Sequence, residues 1–333
     1  MNSNEENPKS MQKAACVAFT VAFGPVYPQM AESTRNSFHA FHPEIPFLIF
    51  TEEEYRDLIS ETPAPWKGEV ISLRILIGWF LSLSYQNVIY LDADMIVLGP
   101  LDAMKPEKLQ TVLTSDACDI AGATIPGMSR VTSSFAYSSG TAFWKIWAWM
   151  NYSYLFPTID YACIDQISLR LLEMDPENRC KIYPEKESKT YYNTCVFECE
   201  GEWRVKDEKV FKGDVRAMIY HSAASPHRGI GSLPLEIRPF AEKLIQRGLE
   251  KPTYLDFKAL CELKRDAFHD QVFDLFKAMP TLPLEEPFNF INPKNPFEWA
   301  CVAPQFFDQH RAPSTIFKRR LDPKMGVFLY TLT

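Results

Sequence analysis

The segment Asn87–Asp102 (NVIYLDADMIVLGPLD) is an apolar run interrupted by two aspartates one residue apart. Val88, Ile89, Tyr90 and Leu91 form a continuous β-type run, the pattern of a strand buried on both faces. The run stops at Asp92-Ala93-Asp94 and resumes as Met95–Leu98 before the Gly99-Pro100 break. Carboxylates at the end of a buried strand repel each other and are costly to take out of water. A divalent cation removes both difficulties. Hard oxygen ligands suit Mg²⁺ or Mn²⁺, which can in turn hold the phosphate oxygens of a substrate. A bare Asp-x-Asp is ordinarily a strand end with two solvated acids; here the flanking residues change the odds.

The rest of the chain alternates strand and helix. Ala14–Phe23 is a β-type run ending at Gly24-Pro25, and Tyr27–Phe41 has helical spacing. Pro46–Thr51 reads as a second strand, Glu52–Ile59 as a short acidic helix and Arg74–Ser84 as an apolar helix. Asp119–Thr124 reads as another strand, Ile125–Ser134 as a loop, and Phe135–Ile146 gains strand character after Gly140. A helix is expected over Ile164–Glu173, with further helices at Leu235–Gly248 and Tyr254–Ala278 before a Pro/Asn-rich tail. This alternation predicts an α/β sandwich with a largely parallel sheet. Ligands of such sheets sit at the carboxyl ends of strands, where Thr20 and Asp92 fall.

A chain of 333 residues, 46% of them hydrophobic, is long enough for a large core. The net charge of −7 argues against a nucleic-acid partner, which requires a basic footprint. No apolar run approaches the ~18 residues of a membrane span. The start, MNSNEENPKSMQK, lacks a signal-peptide core, so a cytoplasmic protein is expected. Eight dispersed cysteines do not form a disulfide framework. Cys195 and Cys199 lack a second ligand pair for zinc. Asn151-Tyr152-Ser153 matches a glycosylation sequon by chance. The expected organisation is a disordered leader (1–13), a catalytic domain (14–233) and a helical, Pro-rich extension (234–333) packed on it.

The stretch Leu73–Leu101, with Arg74 opening an apolar helix, then Tyr-Leu-Asp-Ala-Asp and the Gly-Pro-Leu exit, closely resembles the core of retaining family-8 glycosyltransferases, the glycogenin and galactosyltransferase group. The resemblance covers about Ala14 to Gly231. It implies a GT-A nucleotide-diphospho-sugar transferase fold: a Rossmann-like, mainly parallel sheet flanked by helices, here with a C-terminal helical extension. It also implies a UDP-sugar donor, Mn²⁺ (or Mg²⁺) and retention at the anomeric carbon. UDP-glucose ranks first and UDP-galactose second, and the acceptor, whether protein, glycan or lipid, is left open. A nucleotide-sugar-binding sensor or scaffold that has lost transfer is the alternative.

Residue by residue, the resemblance implies metal ligation by Asp92, Asp94 and His221, the last following the apolar Met218-Ile219-Tyr220. Asp165 and Gln166 match the family's Asp-Gln pair and are the expected catalytic residues; alone, such an acid also suits a helix N-terminus. Donor contacts are expected from Thr20, Tyr27, Arg74, Ala93, Ser139, Gly140, Asn193, Arg228 and Gly229. Tyr27 would stack on the base, while Ser138-Ser139-Gly140 stands where the family has Asn-Ser-Gly. The family's lysine six residues after the histidine is replaced by His227, so Arg228 is expected to take the phosphate, being able to grip it bidentately.

Overall fold

The computed structural model describes residues 14–59, 70–101, 112–116, 131–151, 165, 182–184, 190–191, 194–195, 202–222, 229–250, 255–278, 317–322 and 327–332. The expected leader, the strand at Asp119–Thr124 and, except for Asp165, the helix at Ile164–Glu173 lie outside them.

The β-type runs in the first third form strands β1 (Ala14–Val21), β2 (Phe47–Phe50), β3 (Tyr85–Leu91) and β4 (Met95–Val97). Further strands are β5 (Val112–Asp116), β6 (Val131–Ser139) and β7 (Ile182–Pro184). The main sheet has the order β2-β1-β3-β6-β5-β7. β1 is parallel to β2 and β3, and β5 is parallel to β7, but β6 runs antiparallel to both its neighbours, β3 and β5. The sheet is therefore mixed, with a largely parallel frame and one reversed strand.

β6 and the residues after it depart from the expected pattern. Val131–Ser134, expected in a loop, begins the strand, and the segment after Gly140 is a helix rather than a strand. Phe143, Trp144, Trp147 and Ala148 recur at helical spacing and are all buried, so the apolar stripe of α4 (Ala142–Met150) decides its state.

Helices cover both faces of the sheet. On one side lie α3 (Val70–Ser82), α4 and a C-terminal helix, Phe257–Ala278, whose Phe268 packs edge-on against Trp79 and Phe80 of α3. Every residue from Leu73 to Ser82 is buried, which explains why this stretch is apolar on all sides rather than striped. α3 starts at Val70, so Arg74 does not open it but sits inside it, buried. The other face carries α1 (Tyr27–His39), whose Phe38 meets Phe47 of β2.

Beyond α1 lie two small sheets built from β4, β8 (Thr190–Tyr191), β9 (Thr194–Cys195), β10 (Trp203–Lys206), β11 (Lys209–Lys212), β12 (Val215–Ala217) and β13 (Ile219–His221). The helix Arg238–Leu249 closes this layer through Ala241 and Leu244, which pack with Ile96, Trp203 and Tyr220. In the tail read as Pro/Asn-rich, Phe317–Asp322 and Val327–Leu332 pair as an antiparallel hairpin. Cys16 is a free cysteine, Cys261 is buried, and Asn151 of the sequon is fully buried.

The helix Arg238–Leu249 approaches α1 backbone to side. A Cβ on Gly248 would lie 1.7 Å from the carbonyl oxygen of Asn36, an approach only glycine allows. Helix propensity alone favours alanine at a helical glycine by about 0.5–1 kcal/mol. The contact reverses that preference, so Gly248→Ala is expected to destabilise the fold by about 1–3 kcal/mol, as overpacking does. Denaturant unfolding checks this; a variant at least as stable as the wild type would show that the two helices part freely.

Candidate metal and donor site

β3 delivers Asp92 to the carboxyl edge of the sheet, and the chain turns through Ala93 and Asp94 into β4. β4 pairs antiparallel with β13, setting His221 opposite Met95. His221 Nε2 thereby comes 3.2 Å from Asp94 Oδ1 and 3.5 Å from Asp92 Oδ2. One ligand atom from each of the three residues falls in a cluster in which all lie within 4.8 Å of one another. Two carboxylate oxygens and an imidazole nitrogen converging in this way could coordinate a divalent metal.

The outer oxygens of the carboxylates are engaged elsewhere. Arg74 Nη1 donates to Asp92 Oδ1 at 2.8 Å, to the Tyr90 hydroxyl oxygen at 3.1 Å and to the Ser133 carbonyl at 3.1 Å. Tyr90, two residues before Asp92 and so on the same strand face, donates its hydroxyl to the same Asp92 Oδ1. The guanidinium lies 5.0 Å from the centroid of the Tyr90 ring. Its second nitrogen, Nη2, is 2.8 Å from Asp165 Oδ2, and Asp165 is 1% exposed. Trp147 fixes the Asp165 backbone by donating its indole N–H to the carbonyl at 3.1 Å. Arg74 thus joins the expected metal ligand, whose side chain is partly exposed, to the expected catalytic carboxylate, which is buried.

The turn is braced from below by α1. Thr34 Oγ1 lies 2.7 Å from the carbonyl oxygens of both Ala93 and Met95. Ser37 Oγ accepts the Val97 amide at 3.0 Å and donates to the Thr34 carbonyl at 2.9 Å. On the far side, the Ser222 amide donates to the Asp94 carbonyl at 3.3 Å, and Ser222 Oγ is 3.2 Å from Asp94 Oδ2.

These surroundings move the two carboxyls apart. Burial holds Asp92 above the usual carboxylate range, with Arg74 and then His221 acting in the opposite direction. Burial also pushes Asp94 up, but His221, its own backbone and Ser222 together bring it below its usual value. Tyr27, at the N-terminus of α1, has its phenol raised by burial and then by the charges of Asp94 and Asp92. Its ring is 40% exposed.

Other expected residues distribute unevenly. Thr20 is fully buried near the end of β1, level with Leu91, and its hydroxyl has no hydrogen-bond partner among the described residues. Ala93 is buried against Ala22 and Ala31, which leaves only its backbone to face a ligand. Gly229 opens a 3-10 turn, Gly229–Ser232, held by Arg238 donating to the Gly231 carbonyl and by Tyr220 donating to that of Ser232. Gln166, Asn193 and Arg228 lie outside the described residues.

Ser139 and Gly140 are placed away from the cluster. β6 is antiparallel to β3, so Ser139 pairs with Asn87 and the Gly140 amide bonds to Gln86, at the end of β3 remote from Asp92. The β6 positions beside Asp92 are Ser133 and Ser134, whose carbonyls receive Arg74 and the Asp92 amide. Sequence reasoning missed both, because only the direction of β6 decides which of its ends meets Asp92. It also missed Tyr90, Thr34, Ser37 and Ser222. The first stands two residues from Asp92, and the α1 pair is spaced i, i+3, so those signals were present.

No protein-family model matches the chain, and no curated protein matches it. Among solved structures, it is similar to a glycosyltransferase involved in glycosylation of the major capsid of PBCV-1 (13% identity over 70% of this chain and 98% of that one, TM-score 0.39). It is also similar to the galactosyltransferase LgtC in complex with donor and acceptor sugar analogs (11% identity, 72% and 97%, TM-score 0.40). A third likeness is to the glycosyltransferase GlyE of Streptococcus pneumoniae TIGR4 (13% identity, 80% and 64%, TM-score 0.41). Likenesses of this size carry neither a fold assignment nor an activity. Among the described residues, no helix is long and apolar enough to cross a membrane.

The bridging role of Arg74 is open to measurement. Arg74→Met leaves the Asp92 and Asp165 carboxylates without their shared cation, and removing one partner of a buried ion pair costs about 3–5 kcal/mol. Unfolding in denaturant should show a loss of that order. A variant as stable as the wild type would mean that the two acids do not depend on Arg74.

Proposed function

We propose that this chain is a metal-dependent, retaining glycosyltransferase of GT-A fold that transfers a hexose from a UDP-sugar, UDP-glucose first and UDP-galactose second, to an acceptor. The observation that carries the reading is the convergence of Asp92, Asp94 and His221 at the carboxyl edge of the sheet, with Asp165 joined to them through Arg74. The motif resemblance around Tyr-Leu-Asp-Ala-Asp supports the same donor class.

In this reading Asp92, Asp94 and His221 hold a Mn²⁺ or Mg²⁺ ion, which when bound supplies positive charge to the donor diphosphate. Tyr27 offers its half-exposed ring to the base. The backbone of Ala93 borders the donor between base and metal. Arg74 orients Asp165, and Asp165 with Gln166 orients the sugar and stabilises positive charge near the anomeric carbon. The acceptor hydroxyl attacks that carbon on the face the UDP leaves. The bond from carbon to the β-phosphate oxygen breaks as the new glycosidic bond forms, and the departing phosphate takes the hydroxyl proton. Arg228 is assigned to the leaving phosphate.

The decisive experiment incubates the chain with UDP-glucose and UDP-galactose, with Mn²⁺ or with chelator, and measures released UDP. Metal-dependent release is expected, and Asp92→Asn, Asp94→Asn and His221→Ala should abolish it; full activity in chelator or in an Asp variant defeats the proposal. Tight metal-dependent UDP-sugar binding without turnover would instead identify a sensor.

The assigned roles also separate in their kinetics. Asp165→Asn should lower kcat on the order of 10²-fold or more, as loss of an electrostatic stabiliser does, with UDP affinity nearly unchanged. NMR of the first-formed product should show retained α configuration, and a β product would remove both the retaining assignment and the role of Asp165. Tyr27→Ala should weaken UDP binding by about 1–3 kcal/mol, the usual worth of base stacking. Calorimetry showing unchanged affinity would take Tyr27 out of the base pocket.

A further inference from the structure

Ser222 stands in the position that decides how Asp94 can meet a cation. Its amide already donates to the Asp94 carbonyl at 3.3 Å. Its hydroxyl oxygen is 3.2 Å from that same carbonyl and 3.2 Å from Asp94 Oδ2. With the carbonyl served by the amide, the hydroxyl proton is available to Oδ2. Asp94 Oδ1 is then the oxygen left facing His221 Nε2, 3.2 Å away.

Asp92 is treated in the same manner by different residues. Arg74 and Tyr90 both donate to Oδ1, and Oδ2 is the atom that faces His221. Each carboxylate therefore presents one oxygen to the cluster and has its other oxygen hydrogen-bonded outside it. A pair of bidentate carboxylates is the arrangement a large, many-coordinate ion such as Ca²⁺ uses, whereas smaller six-coordinate ions are held through few protein oxygens.

We infer that Ser222 is a specificity-determining residue of the metal site: by withholding Asp94 Oδ2 it restricts Asp94 to one-oxygen ligation and so favours Mn²⁺ and Mg²⁺ over Ca²⁺. The inference rests on the metal reading proposed above. Ser222 touches the ligand and not the ion, so it acts as a positioning residue, and outer partners of this kind shift metal affinity by roughly 10–100-fold.

The test is calorimetric titration of the full chain with MnCl₂ and with CaCl₂, without donor, together with displacement of Mn²⁺ by Ca²⁺ followed by electron paramagnetic resonance. In the wild type Mn²⁺ should bind more tightly than Ca²⁺. Ser222→Ala frees Oδ2 and should raise the Ca²⁺-to-Mn²⁺ affinity ratio about tenfold, while Ser222→Thr, which keeps the hydroxyl, should hold the wild-type ratio. A wild type that binds Mn²⁺ combined with an unchanged ratio in Ser222→Ala overturns the role of Ser222 alone. Ser222→Thr behaving like Ser222→Ala does the same, since the hydroxyl would then not decide the ratio. A wild type that binds neither ion overturns the metal reading itself.

Discussion

Everything at the sheet edge depends on how Arg74 is placed. A guanidinium that is 7% exposed is costly to desolvate, and this one is compensated by two carboxylates, a phenol and a carbonyl at once. Its planar fork is what permits this, since separate nitrogens reach Asp92 and Asp165. The helix that carries it is buried on all sides, so the charge is presented from a rigid element. Phe268 of the helix Phe257–Ala278 closes the back of α3, which ties the C-terminal part of the chain to the placement of Arg74 without its touching the site.

The site has two kinds of support, and they act on different atoms. Arg74, Tyr90 and Ser222 hold side-chain oxygens of the acidic pair, and so determine which oxygens remain for a ligand. Thr34 and Ser37 hold backbone carbonyls and amides of the turn, and so determine where the pair stands. Tyr27 belongs to the same helix as the second group. α1 therefore carries both the hydroxyls that brace the turn and the exposed Tyr27 at its start.

Much of this was legible from residue order because local chemistry was unambiguous. The run from Val88 to Leu91 could hardly be anything but a buried strand, and the motif resemblance around it singled out the Asp-x-Asp at its end. His221 was legible through the motif resemblance, and β4–β13 pairing brings it beside the acidic pair. What was not legible depended on strand direction and on choices between competing patterns. Ser138-Ser139-Gly140 looked like a sugar-contacting turn, yet β6 runs the opposite way and puts Ser133 and Ser134 beside Asp92. Phe143–Ala148 is short and aromatic enough for either state, and only its burial against α3 settles it as helix. Arg74 resembled an exposed helix opener because the preceding turn, from Val70, carries no capping signal.

The pairing of β4 with β13 has a consequence for how the protein is made. Ser222 and Asp94 are separated by 128 positions, so the acidic pair leaves the ribosome well before the residues that complete its surroundings. At synthesis rates of about 5–20 residues per second, that interval is on the order of 6–25 s. During it, two neighbouring carboxylates and a cationic helix are present without the histidine strand, and a captured ion would lack an imidazole ligand. Assembly of this edge is therefore among the late, long-range events of folding. A nascent chain halted before His221 emerges would carry the acidic half of the motif but not the complete three-ligand set.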